Sequence, residues 1–217
     1  MLQQHIWPQK IEEAIAIQEE LRSQVITENQ LETVRYVAGV DVGYDSTDSV
    51  SQAAVTVLSF PDLQLQQQAV VRSRTAFPYV PGFLSFREVP AVLEALAKID
   101  PMPDLILCDG QGLAHPRRFG LACHLGVVTG IATIGVAKTR FIGEHSEVGH
   151  SRGSWQPLLD GPETIGAALR TQTGVKPIYV SIGHKVNLTG AIDYVLRCAP
   201  KYRLPETTRS ADKLTSG

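Results

Sequence analysis

The stretch running from "DLILCD" (104–109) through "RRFGLACHLGVVTG" (117–130) to "IATIGVAK" (131–138) constrains the fold most. Its ends are short apolar runs with the composition of buried strands, and its middle is long enough for a helix. Two such strands pair best in parallel, because a connection of that length is a crossover and not a hairpin. Upstream, "RYVAGVDVGY" (35–44) is a third buried, valine-rich strand. "SQAAVTVLSF" and "LQLQQQAVVRSRT" follow it around Pro61-Asp62, and the alternation in the second predicts an antiparallel meander.

Helices are expected where the period changes. After Pro8, Ile11, Ile15, Leu21 and Val25 fall at helical spacing. In "REVPAVLEALAKI", Val89, Val92, Leu93 and Leu96 mark one helix face, with Pro90 placed in the first turn where proline is tolerated. "ETIGAALRTQTGVKPIYVSIG" reads as two strands around a turn at Gln172–Lys176. "NLTGAIDYVLRC" reads as a closing helix that Asn187 caps. Strand–helix units after a meander predict an α/β fold: a mixed sheet flanked by helices.

The 217 residues fit one domain, 1–217, with no repeat or linker that divides them. A net charge of −2 argues against a generic polyanion binder, so any nucleic-acid contact is confined to a local basic patch. Cys108, Cys123 and Cys198 form no ligand-spaced pair, which favours a reducing compartment over a zinc site or disulfide framework. The opening "MLQQHIWPQKIEEAIAIQEE" carries no signal pattern, and no apolar run approaches a membrane span. A cytoplasmic protein without membrane association is expected.

Chemistry concentrates on acids in unusual places. Asp41 lies inside the strand "VAGVDVGY", and Asp109 ends the strand "LILCDGQG". Strand interiors disfavour aspartate, and a buried carboxylate needs a partner. Either one alone is most simply a structural acid satisfied by a turn or an arginine. Two acids on neighbouring central strands repel unless they share a proton or a divalent cation. Oxygen donors alone favour Mg²⁺ or Mn²⁺ over zinc.

Glu88 opens the helix after "PYVPGFLSFRE", where the positive helix N-terminus alone explains an acid. Lys138 ends its strand either as a return to solvent or as a cation aimed at phosphate. Arg117 and Arg118 stand at an electrostatically poor helix start, which an anionic partner would explain. In "PYVPG" (78–82) a proline-flanked Tyr79 is either packed on the core or an exposed wedge able to enter a base stack.

The blocks "AGVDVGY", "FPYVPGFLSFRE", "LILCDGQGLAHPRRFGLACHLGV", "TIGVAKTRF", "YVSIGHKVNLTGAIDYVLRC" and "YRLPETTRSAD" run in order along nearly the whole chain. Together they resemble the endonuclease V family, which nicks DNA at deaminated bases. The resemblance implies a ribonuclease H-like fold, with a mixed five-strand central sheet and helices on both faces. It implies Mg²⁺-dependent hydrolysis, with Mn²⁺ as a substitute, at the second phosphodiester bond 3′ of deoxyinosine, leaving 3′-hydroxyl and 5′-phosphate ends. Asp41, Glu88, Asp109 and Lys138 match catalytic positions, with Asp41 and Asp109 the metal ligands. Asp212 falls where family members carry Asp or His. Tyr79 matches the wedge, and Val80 stands beside it where isoleucine is common.

Gly82, Leu84, Gly110 and His115 are then expected to line a pocket for the flipped base. "HPRRFG", with His115 and Arg117, is expected to face the strand, His115 contacting it or assisting proton transfer. The expected partner is deoxyinosine-containing DNA, double- or single-stranded, with inosine-containing RNA as a second substrate, bound by a monomer. Two rivals are a binding protein that has lost catalysis and a junction resolvase. The retained acids argue against the first, and the wedge argues against the second.

Overall fold

The computed structural model of the protein describes residues 5–216. Residues 1–4, which begin the segment read above as lacking a signal pattern, and Gly217 lie outside them. The chain opens with α1 (Ile11–Arg22), then forms the meander β1 (Tyr36–Tyr44), β2 (Val50–Ser59) and β3 (Leu65–Arg74). Next come α2 (Leu84–Leu96), β4 (Leu105–Asp109), α3 (Leu121–Thr129) and β5 (Ala132–Ala137). The remainder is β6 (Trp155–Asp160), β7 (Glu163–Leu169), β8 (Ile178–His184), α4 (Leu188–Cys198) and α5 (Glu206–Thr215).

One mixed sheet holds all the strands in the order β3-β2-β1-β4-β5-β8-β7-β6. The meander is antiparallel, and β1, β4 and β5 run parallel through the predicted crossover. The expected five-strand sheet is thus corrected to eight strands. Beyond β5, three antiparallel strands extend it, β6 and β7 joined by a tight turn and β7 and β8 by the longer loop 170–177.

Strand alternation gives the sheet two apolar faces. Ala38, Val40, Ile106 and Cys108 pack with Val89, Val92 and Leu96 of α2 and Leu121, Ala122 and Leu125 of α3. The alternate residues Val37, Leu105, Leu107, Ile134 and Val136 pack with Ala191, Ile192 and Val195 of α4. The Asn187 side chain caps α4 by accepting from Gly190 N at 2.8 Å, as expected. All three cysteines are buried and free. Among the described residues, no helix is long and apolar enough to cross a membrane.

Several boundaries differ from the sequence expectation. Helix α1 ends before Val25, Ile11 is largely exposed, and its fully buried residues are Ala14 and Gln18. Helix α2 starts at Leu84, so Pro90 is its seventh residue and not in the first turn. There it removes the donor that would have reached the Phe86 carbonyl. Glu88 is the fifth residue and buried, so the helix N-terminus does not account for it. Helix α3 starts at Leu121, which leaves Arg117 and Arg118 in the turn before it.

Candidate active site and base cavity

β1 brings Gly39, Asp41 and Gly43 to one face by its two-residue period. The glycines clear the path for α5: a Cβ on Gly39 would lie 2.1 Å from the Thr207 backbone, and one on Gly43 would lie 2.9 Å from the Thr215 carbonyl. Helix α5 therefore lies directly on the strand and carries Asp212 to Asp41. Thr215, one turn further along α5, donates its hydroxyl to Asp41 Oδ2.

The parallel register sets Val40 beside Cys108, so Asp41, inside β1, and Asp109, at the end of β4, are neighbours on adjacent strands. Ligand atoms of Asp41, Asp109 and Asp212 all lie within 4.8 Å of one another. Lys138, just past β5, reaches Asp109 Oδ2 at 2.7 Å and Asp212 Oδ1 at 3.8 Å. Burial and the neighbouring Asp109 and Asp212 raise the Asp41 pKa, against the opposing Thr215 hydrogen bond. Burial alone would lower the Lys138 pKa, but its bond to Asp109 and the surrounding acids raise it overall.

Glu88 approaches from the opposite face of the sheet on α2 and is not one of the three converging carboxylates. Burial first, then the charges of Asp41 and Asp109, push its pKa up to about 8. Tyr44 donates to Glu88 Oε1 at 3.4 Å, and the buried Arg87 guanidinium lies 4.1 Å over the Tyr44 ring.

Beside the acids is a cavity of about 380 Å³. Tyr79, Gly82, Leu84, Gly110 and His115 line it as expected, together with Asp109, Lys138 and Phe141. Tyr79 is 68% exposed at its mouth, so the core-packing alternative is excluded. The acids and the cavity share Asp109 and Lys138.

The basic cluster "HPRRFG" does something other than face solvent. His115 is buried, its Nε2 lies 3.0 Å from the Gly82 carbonyl, and its Nδ1 accepts from Arg117 N at 3.2 Å. Burial and Arg117 push its pKa down to about 4, so the ring is neutral with both nitrogens engaged. The ring is also part of the cavity wall. Arg117 bonds the Gly82 carbonyl at 2.9 Å, bonds the Gln18 side chain and stacks 4.3 Å over Phe83. Arg118 pairs with Asp160 at 2.7 Å and Glu163 at 2.8 Å across β6 and β7. Both arginines are thus bonded within the protein while staying partly exposed. Gln18 and Thr215 were missed, since each acts on a group far away in sequence and neither sits in a recognisable motif.

The sequence model of the endonuclease V family matches residues 19–213. An endonuclease V of Nostoc sp. is 64% identical over 215 residues, covering 99% of this chain and 97% of that protein. The crystal structure of endonuclease V from Streptomyces avermitilis superposes with a TM-score of 0.93 at 51% identity, covering 97% of this chain and 93% of that one. Ciona intestinalis endonuclease V, solved with a 24mer DNA containing an inosine followed by a ribo-adenosine, superposes with a TM-score of 0.84 at 31% identity, covering 95% of this chain and 96% of that one. With a match of this length, over a sheet and helices that superpose nearly end to end, the chain belongs to the endonuclease V family.

Proposed function

We propose that this endonuclease nicks DNA at the second phosphodiester bond 3′ of deoxyinosine. It would leave 3′-hydroxyl and 5′-phosphate ends, with the base still on its sugar. One observation carries the reading: Asp109 and Lys138 belong both to the acidic cluster and to the cavity wall. A base held in that cavity would bring the phosphates of its own strand to the carboxylates. The inosine-containing DNA bound by the Ciona relative supports the substrate class, and inosine-containing RNA is a second candidate.

Asp41, Asp109 and Asp212 would hold a divalent cation between them. Their all-oxygen donor set suits Mg²⁺, with Mn²⁺ as a substitute. Such an ion, when bound, supplies an acidified water and offsets charge on the phosphate. The chain's own groups do the rest. Thr215 orients Asp41, Lys138 would pair with a phosphate oxygen, and Glu88 backs the acids from the far face as a buried group that holds its proton near neutral pH. Tyr79 would fill the gap left by the flipped base. Leu84 and the His115 ring would wall it, while Gly82 and Gly110 admit backbone close to its edge.

The order β3-β2-β1-β4-β5 supports placing the acid-bearing core among ribonuclease H-like folds, and the continuous sheet supports one domain over 1–217. A junction resolvase would not need a single-base cavity. The test is a labelled duplex carrying one deoxyinosine, compared with the undamaged duplex, with Mg²⁺ and with chelator. Nicking confined to the lesion duplex and lost with chelator is expected. Equal nicking of both duplexes would contradict the reading.

A further inference from the structure

Gln18 is fully buried on α1 and does not line the cavity. A buried amide costs stability unless its groups are bonded, so an apolar residue would be the simpler choice here. Its Nε2 donates to the Gly82 carbonyl at 3.0 Å and to the Phe119 carbonyl at 3.3 Å. Its Oε1 accepts from Arg117 Nε. One side chain therefore ties α1 both to the loop bearing Tyr79 and to the turn before α3.

The Gly82 carbonyl is the focus. Gln18 Nε2 at 3.0 Å, His115 Nε2 at 3.0 Å and Arg117 Nη2 at 2.9 Å all converge on it. A carbonyl oxygen has two lone pairs, so these donors saturate it. Gly82 has φ +85°, a backbone conformation that favours glycine, and a Cβ there would come within 2.9 Å of Arg117 Nη2. Its carbonyl is thus held by three groups, and Gly82 itself lines the cavity.

We propose that Gln18 is a positioning residue for base recognition, acting through Gly82 and Arg117 to hold the cavity wall in one peptide orientation. The inference rests on the deoxyinosine reading and adds a specificity element to it. A saturated Gly82 carbonyl has no acceptor to offer an exocyclic amino group. Adenine carries an amino group where hypoxanthine carries a carbonyl. His115 and Arg117 still fill the two lone pairs of the Gly82 oxygen when Gln18 is lost, so Gln18 acts on the orientation of the peptide, and a cavity wall free to tilt discriminates less between the two bases.

Gln18→Met keeps the side chain's length while removing its donors and acceptor. Gln18→Glu keeps the acceptor toward Arg117 and loses the donors to Gly82 and Phe119. For Gln18→Met on a deoxyinosine duplex, KM should rise by about tenfold, the size of one lost buried hydrogen bond. Its kcat should stay within about twofold of wild type, the pattern of lost uniform binding. The preference for deoxyinosine over undamaged duplex should shrink, Mn²⁺ affinity measured calorimetrically should hold, and Gln18→Glu should fall between wild type and Gln18→Met.

An unchanged KM and preference in both variants would overturn the proposal. So would a fall in kcat and Mn²⁺ affinity alongside binding, or loss of native near-ultraviolet circular dichroism in both variants, since each assigns Gln18 a purely structural role. A wild-type protein that leaves deoxyinosine duplex intact would instead overturn the substrate reading on which the proposal rests.

Discussion

The Asp109 carboxylate sits between a lysine and two further acids and also lines the cavity. Lys138 neutralises part of its charge, while Asp41 and Asp212 add to it. Asp109→Asn would remove one ligand of the proposed cation, so nicking should fall by more than about a hundredfold. DNA binding should persist or tighten, because less negative charge faces the phosphate. Full nicking by Asp109→Asn in a gel assay would sink the metal assignment. Tyr79, exposed at the cavity mouth, gives a different signature. A ring stacked in the gap of a flipped base contributes about 1–3 kcal/mol, so Tyr79→Ala should lose that much affinity for deoxyinosine duplex and much less for undamaged duplex. Equal losses, measured by anisotropy, would leave Tyr79 without a wedge role. Asp41 and Asp109 were legible in the sequence because acids inside apolar strands are conspicuous. The internal partners of Arg117 and Arg118 were not legible, because Gln18, Asp160 and Glu163 lie on other elements that local pattern cannot connect.

At the scale of elements, the contact between β1 and α5 builds half of the site. Glycines two residues either side of Asp41 make a groove, and the helix in that groove delivers Asp212 and Thr215. Gly39→Ala would push a methyl into the Thr207 backbone. Overpacking of this kind costs about 1–3 kcal/mol, read as a lower urea midpoint. Nicking should fall with it as Asp212 withdraws, and an unchanged midpoint with full activity would show that α5 is not seated as described. The strands and crossover around β1, β4 and β5 could be read from their apolar runs. Helix α5 could not, because it buries Thr207, Thr208 and Ala211 and so shows no apolar stripe. Strand β6 was hidden by Pro157 and by its mixed, largely exposed face. The start of α2 was misplaced because Leu84, Ser85 and Phe86 continue the preceding loop's composition into the helix.

For the whole molecule, buried neutral histidines set the response to acid. His115 and His184 are pushed down to about 4, and the fully buried His124 is pushed well below its ordinary value, in each case chiefly by burial. The unfolded chain takes up these protons near pH 6.5 and the folded chain only further down, so stability falls as pH drops through that window. Glu88, raised to about 8, and Asp41 act in the opposite sense by binding protons earlier when folded. The net slope should be about one to two protons between pH 6 and 5. Urea midpoints that stay flat or rise toward pH 5 would contradict it. The same rigidity that buries these groups couples cavity to acids: Gly110 follows Asp109 directly, and Gly82 and Glu88 share one short segment. Mapping the nick at nucleotide resolution, on deoxyinosine duplexes of several flanking sequences, tests that coupling most directly. The cut should fall at the second phosphodiester bond 3′ of the lesion in every context, with no free base released. A cut that wanders with flanking sequence, or hypoxanthine freed from its sugar, would contradict a cavity and an acidic cluster held at one fixed offset.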